Sequence, residues 1–488
     1  MDKTASVCLG FPPEYPTDAA TYERAVNAHL EQLVKLVDDA SKPLRSEGPR
    51  LLTLLDPSLN SLSCLAILYN LLIPNISGDK EFLSEKLVVF LLSFDAIQVR
   101  YAGAHLLQLL QLVAKGQLLP PSVAVNVLAA AILRIDPTGS MLTSTHISLV
   151  KLAYNTDNIE PALAVLDKSI VFYPGMGAYK KAEYLSDLSL SPPAYISENT
   201  GLTTAIKTPA ILEYDLLRGL VYCSRRDWPK ALAALERVAT YPTRDHGVSK
   251  IMTEAYKRWV LVSLLCYGKS NAQPAMTGSG ASKAYGTLGK LYKEVAVIFE
   301  TENAAELKEK VDANTKEWLD DGNTGLMREV LSAYQEWQIM NLQHIYTKIS
   351  ISEIRQQTKS AQTGKILAKD EDVEALIHNM IISGTLKGVI EKNDDGITFL
   401  AFLPSSAALS EAEFAKEIAG TATRLKTLEP IFKATNERLG TSKEYIKHLA
   451  KEKQKVHDKD GDIAMDFGQH IEDEDIMGDV ASTSEAVY

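Results

Sequence analysis

The chain has 488 residues, beyond the roughly 250 to 300 at which one hydrophobic core stops growing, so it must divide into domains or extend as stacked repeats. An apolar fraction of 46% and a charged fraction of 23% exclude disorder over most of that length. A formal net charge of -11 argues against gripping a phosphate backbone, and Cys8, Cys64, Cys223 and Cys266 form no CxxC pair and have no histidines at zinc-ligand spacing.

The start Met-Asp-Lys-Thr lacks a basic region followed by an apolar run, and Asp2 leaves no glycine to myristoylate. The longest apolar stretches, Leu87 to Phe94 and Trp259 to Tyr267, fall short of the ~20 residues that span a bilayer. Free thiols, no membrane, and a location in cytoplasm and nucleus are therefore expected.

From Tyr22 to Ile135 apolar residues recur at three- and four-residue steps, as in Leu30, Leu33, Val34 and Val37, and again in Leu106, Leu107, Leu110 and Val113. Prolines at positions 43, 57, 74, 120, 121 and 137 interrupt the pattern, which predicts a row of short helices over residues 1–145. Residues 146–345 are expected to hold degenerate tetratricopeptide-like hairpins. Leu152, Tyr154, Pro161, Tyr173 and Pro174 return 68 residues later as Leu220, Tyr222, Pro229, Tyr241 and Pro242, twice the ~34-residue period of such repeats. The inner match slips by one residue, with Ala162, Leu163 and Leu166 aligning on Ala231, Leu232 and Leu235. Small residues (Ala162, Ala164; Ala231, Ala233, Ala234) would allow close helix approach, with tyrosines filling gaps. The Gly/Ser-rich stretch 268–286 reads as a flexible loop.

Residues 346–403 read as a winged helix. Ser350 and Glu353 form a capping box, and a second helix opens at Asp370 with Val373, Leu376, Ile377, Met380 and Ile381 on one stripe. After Gly384 a strand Leu386 to Ile390 is joined through Asn393-Asp394-Asp395-Gly396 to a strand Ile397 to Phe402. A winged helix often reads DNA, but Asp370, Glu371, Asp372 and Glu374 would face phosphates with like charge, which disfavours nucleic acid as a partner.

Next, residues 408–456 predict one long helix, with a capping box at Ser410 and Glu413. Its heptad register runs through Phe414, Ile418, Thr421, Leu425, Leu428, Phe432, Thr435, Leu439, Ser442, Ile446 and Leu449. A 3.5-residue stripe of this length seeks partner helices; the alternative is packing on the protein's own body, with bends at Gly420, Pro430 and Gly440. Residues 457–488 are acidic and poor in core formers, which predicts a disordered tail.

Chemistry-bearing motifs fail on inspection. No HxH or HExxH occurs, Gly286-Thr287-Leu288-Gly289-Lys290 lacks both the first glycine and the Ser/Thr of a phosphate loop, and Asp458-Lys459-Asp460-Gly461-Asp462 misplaces the glycine of a calcium loop. No enzyme, metal or cofactor is predicted.

A mainly α chain of tetratricopeptide-like repeats ending in a winged helix and a long C-terminal helix resembles the PCI domain family, whose members sit in the proteasome lid, the COP9 signalosome and an initiation factor. The resemblance covers about Lys230 to Leu449 and is most specific at Tyr346 to Ile354, Asp372 to Ile377 and Ile382 to Ile390; it departs at Gln356 to Lys369, which is longer and more polar. Length, the position of the module, the long helix and the acidic end are most similar to the signalosome members. The resemblance implies a non-catalytic scaffold that supports removal of Nedd8 from cullins. Its partners would be other PCI and metalloprotease-fold subunits and, indirectly, cullin-RING ligases, with catalysis on a different, metal-containing subunit. It further implies a wing edge at Ile397, Thr398, Phe399 and Leu400 that pairs with a neighbour's wing, and a shared bundle holding Phe414, Ile418, Leu425, Leu428, Phe432, Leu439, Ile446 and Leu449. A proteasome-lid or initiation-factor subunit is the alternative of like architecture.

Overall fold

The computed structural model describes residues 2–12, 18–38, 43–73, 76, 78–174, 182–243, 247–271, 273–393, 396–403, 411–440 and 445–451. Helices α1 (Asp2–Leu9), α2 (Ala19–Asp38), α3 (Pro43–Leu54) and α4 (Ser61–Leu72) lead into α5 (Lys80–Ser93), α6 (Gly103–Ala114) and α7 (Pro121–Ile135). Pro43 and Pro121 open their helices, where a missing N–H leaves no bond unmade. The middle of the stack is α4, whose Cys64, Leu65, Leu68 and Leu71 are closed to solvent. His29 Nε2 lies 3.1 Å from Ser63 Oγ, which donates to the Cys8 carbonyl at 2.7 Å. The neutral ring therefore donates from Nε2, tying α2 to α4 and α1.

Beyond α7 come α8 (Ser144–Asn155) and α9 (Glu160–Leu166), a strap containing α10 (Pro192–Tyr195), then α11 (Thr208–Ser224) and α12 (Trp228–Ala239). Arg100 anchors the strap, stacking over Tyr195 at 3.7 Å and donating to the carbonyls of Leu185 and Asp187 at 2.7 and 3.2 Å. The pairs α8–α9 and α11–α12 are the predicted repeat, with its register corrected. Each turn carries one left-handed residue, Asp157 and Arg226, and these stand 69 positions apart. Each closes with the same bond, from Asn158 N–H to Ala153 O and from Asp227 N–H to Tyr222 O, both 3.0 Å. On this register buried Val150, Leu152 and Ala153 match buried Gly219, Val221 and Tyr222, and Ala162, Val165 and Leu166 match Ala231, Ala234 and Leu235. Tyr154 and Tyr222 are thus not equivalent: Tyr222 is buried, whereas Tyr154 faces solvent and fills no gap. Ala164 and Ala233, expected on the close-packed face, are exposed.

The expected flexible loop 268–286 is also corrected. After α13 (Lys250–Tyr267), its second half is helical, opening α14 (Ser279–Leu288). Two anchors one turn apart, Ala281 and Tyr285, override the weak propensity of the small polar residues around them. The Tyr285 ring lies flat on Tyr256 at 4.2 Å between centroids, and its hydroxyl donates to the Ala239 carbonyl at 2.8 Å. There follow α15 (Lys290–Phe299), α16 (Ala304–Ala313), α17 (Thr315–Asp320) and α18 (Thr324–Leu342). The Asp321 carboxylate accepts from Lys257 Nζ and from the Tyr292 hydroxyl, both at 2.7 Å, pinning the α17–α18 turn to α13 and α15.

One apolar core runs from Cys8 to Val221, crossing residue 145 without a break. The changeover falls within α11, where Tyr214 and Val221 face that core and Leu212, Leu216 and Tyr222 face a second one. A third core, around Ile349, Ile354, Ile377 and Leu400, belongs to β1 (Lys348–Ser350), α19 (Ile351–Gln357), α20 (Asp370–Ile382), β2 (Gly388–Lys392) and β3 (Thr398–Phe402). Residues 409–488 form a separate unit whose described part is α21 (Glu411–Gly440) and a helical stretch at 445–451.

Candidate assembly interface

The winged helix is built on a cap and a docked loop. Ser350 Oγ accepts from the Glu353 N–H at 3.3 Å, turning β1 into α19. The polar loop after α19 is held against the repeats. Thr358, buried to 1% exposure, accepts from Gln335 Nε2 at 3.1 Å, Lys359 N–H donates to Gln338 Oε1 at 2.8 Å, and Ala361 joins the second core. Gly364, at φ 70°, lets the loop turn back beside Ala305 of α16. At the acidic start of α20, Asp370 pairs with Arg355 across the helix turn, while Val373, Ile377 and Met380 face inward.

The sheet departs from the expected two-stranded wing. Three antiparallel strands lie in the order β1-β3-β2. β3 is central, so Ile397, Thr398, Phe399 and Leu400 do not form a free edge; this corrects the expected wing interface. Sequence reasoning placed β3 outside because β1, three residues between two helices, carries no strand signal of its own. Phe399 and Leu400 pair with Ser350 and Ile349 on one side and with Glu391 and Ile390 on the other. Leu400 is fully buried, Thr398 and Phe399 are half-buried, and Ile397 is exposed just before the strand. Lys348 pairs with Glu391 at 2.6 Å and lies over the Phe399 ring at 5.1 Å, spanning all three strands on the outer face.

Among the described residues the free edges belong to β1 and β2. Asn393 N–H donates to Ile397 O and Leu403 N–H to Lys387 O, both at 3.0 Å, so residues of odd number in β2 point their backbone groups at β3. Gly388, Ile390 and Lys392 therefore present their N–H and C=O groups outward. By the same alternation, with Phe402 N–H bonded to Thr347 O at 2.9 Å, Lys348 does so on β1, while Ser350 caps α19. The tip residues 394–395 of the hairpin lie outside the described residues.

In α21, Phe414, Ile418, Leu425, Leu428, Phe432 and Leu439 all face solvent, Phe432 at 73% exposure, and Ile446 and Leu449 are exposed in the helical stretch beyond. These large apolar side chains repeat at the 3.5-residue spacing that helix pairs and bundles use. Ser410, Ser442 and the tail 457–488 lie outside the described residues.

Among the described residues no group of three or more His, Cys, Asp and Glu side chains could hold a metal ion. Burial pushes the Cys8 thiol up to about 11 and those of Cys64 and Cys223 up to about 12, so these thiols stay protonated and inert. Burial holds His29 down at about 4 and His146 at about 3, where neighbouring Arg218 adds to the effect. His146 Nδ1 receives the Thr143 N–H at 3.2 Å, making that ring a helix cap. No described helix is long and apolar enough to cross a membrane.

A stacked helical array ending in a winged helix is the architecture of a PCI-type protein. A family model for the PCI domain matches residues 311–399, and one described as the N-terminal helical repeats of COP9 signalosome complex subunit 3 matches residues 27–279. The COP9 signalosome complex subunit 3 of Neurospora crassa is 42% identical over 458 residues, 92% of each chain; that of Emericella nidulans is 28% identical over 419 residues, 83% of each. The chain belongs to the COP9 signalosome complex subunit 3 family.

Proposed function

We propose that this chain is a non-catalytic scaffold subunit of the COP9 signalosome and supports removal of Nedd8 from cullin-RING ubiquitin ligases. The proposal carries the family's complex over to this chain and places catalysis on a different, metal-containing subunit. Direct partners are other PCI and metalloprotease-fold subunits, cullin-RING ligases are met indirectly, and the complex works in cytoplasm and nucleus.

The observation that carries this reading is the open seam of α21. Six apolar side chains along it, and Ile446 and Leu449 in the stretch beyond, have a heptad spacing and are exposed. The free backbone edges of β1 and β2 offer a second, strand-pairing contact of the kind that joins sheets between chains. The test replaces Leu425 and Phe432 with aspartate in the full chain and follows co-purification with the other signalosome subunits and cleavage of Nedd8 from a cullin. Loss of both is expected; full assembly with both aspartates in place overturns the scaffold role of the seam.

A further inference from the structure

The charge of the chain reverses sign after Lys459. Residues 424–459 hold ten Lys and Arg against five Asp and Glu, whereas residues 460–479 hold eight Asp and Glu and no Lys or Arg. Part of the positive excess stands beside the seam. In α21, Leu425 and Phe432 are each followed by a lysine, Lys426 and Lys433, and all four side chains are exposed. Their seven-residue spacing keeps both lysines on one side of the apolar stripe. In the helical stretch beyond, exposed Lys447 holds the same place after Ile446. Between Lys426 and Lys433 the sequence has a single acid, Glu429, so this flank stays positive.

The acidic segment interleaves its carboxylates with large apolar residues. Met465, Phe467, Ile471 and Ile476 are set around Asp466 and the run Glu472 to Asp475. Such a segment carries both things that a lysine-flanked apolar stripe lacks, negative charge and apolar cover. It is also tethered, since it belongs with α21 to the unit of residues 409–488, although it lies outside the described residues. Phe467 follows Lys451 by sixteen residues, a reach of up to about 55 Å, against about 45 Å for the whole of α21. Attachment to the same chain gives the segment an effective concentration on the order of millimolar, so individually weak contacts suffice.

We propose that in the free chain residues 460–479 cover the seam of α21, with the carboxylates of Glu472 to Asp475 on Lys426 and Lys433 and with Phe467 and its apolar neighbours against the stripe. Partner helices then have to displace this segment, which makes the acidic stretch a guard on the assembly surface. That consequence rests on the seam's role in assembly; the contact itself stands on complementarity within one chain.

The test uses the full chain with p-benzoylphenylalanine in place of Phe467, irradiated and mapped by mass spectrometry. Cross-links within one chain to residues 425–451 are expected. Lys426→Glu with Lys433→Glu, and separately Glu472→Gln, Asp473→Asn, Glu474→Gln and Asp475→Asn together, each lower their yield about fivefold, as does raised salt. Adding Glu472→Lys, Asp473→Lys, Glu474→Lys and Asp475→Lys to the Lys426→Glu, Lys433→Glu chain restores the yield. Mixed isotopically light and heavy chains distinguish a contact with a second copy, and thermal unfolding checks that each variant keeps its fold. Cross-links scattered over the chain, cross-links only between copies, or a yield untouched by both sets of substitutions overturns the proposal. With an adjacent subunit, removal of residues 460–488 speeds association about tenfold, and an unchanged rate overturns the guarding role. Assembly of the Leu425→Asp, Phe432→Asp chain tests the seam itself, so the two readings fail separately.

Discussion

Proline substitution in the wing separates the internal ladder from the free edge, because alternate residues of β2 point their N–H groups in opposite directions. Lys392 has an exposed side chain and an outward N–H, so Lys392→Pro removes a donor that β3 does not use; an edge position tolerates the ring, and stability should change by less than about 1 kcal/mol. Glu391 also has an exposed side chain, yet its N–H faces β3 opposite Phe399. Glu391→Pro orphans the Phe399 carbonyl and should cost about 1 to 3 kcal/mol. The order reverses in assembly. If a neighbouring subunit adds a strand to β2, Lys392→Pro leaves one of the neighbour's carbonyls unpaired, and 1 to 3 kcal/mol corresponds to roughly 5- to 150-fold in affinity. Urea unfolding measures the first quantity, and titration of the chain with the adjacent subunit the second. Unchanged affinity in a folded Lys392→Pro protein would refute pairing along β2. Lys348→Pro then asks the same of β1. Proline at Phe399 cannot make this distinction, because Phe399 is paired on both sides.

Three further outcomes follow from the packing. His29 and His146 keep their rings neutral well below the ordinary histidine value, so their contribution to stability is present above pH ~6.5 and is lost as pH falls towards about 4 and 3 respectively. Between pH ~7.5 and ~5.5 each should cost roughly 1 kcal/mol, since the unfolded imidazoles take up protons and the folded ones do not. His146→Gln, which keeps a capping-box side chain but cannot titrate, should flatten that pH slope in urea unfolding by about the share of one histidine; an unchanged slope would contradict the buried neutral ring. Tyr285→Phe should lower stability by about 1 to 2 kcal/mol by orphaning the Ala239 carbonyl. Tyr285→Ala should go further and raise amide exchange across residues 279–288; protection equal to wild type would mean that α14 is not held by this ring. Finally, Phe432→Asp alone should leave the unfolding temperature of the isolated chain within a few degrees of wild type, because the side chain is 73% exposed.

Much was legible in the residues themselves. Three- and four-residue periodicity marks helices wherever a buried stripe exists, because period follows from helix geometry alone. The Ser350 cap, the acidic start of α20, the hairpin before β3 and the 3.5-residue seam of α21 were readable for the same reason: each is a local pattern with a local cause. The repeat between residues 146 and 242 was visible, but its register was not. Identity placed Tyr154 on Tyr222, while the turns at Asp157 and Arg226 align Ala153 with Tyr222, a choice that burial makes and chemical likeness does not.

What only the tertiary structure decided is which surfaces are covered. Strand order is a non-local property, and three residues at 348–350 that carry no strand signal move β3 from edge to centre and give its free edge to β1. Likewise a glycine- and serine-rich stretch becomes α14 because Tyr256 offers a flat ring to Tyr285, a contact between residues distant in sequence. The sequence by itself determined that this protein is a helical array with a winged helix and an apolar helical seam. The fold determined which strand edges stay open, because exposure is settled by what packs against a residue and never by the residue alone.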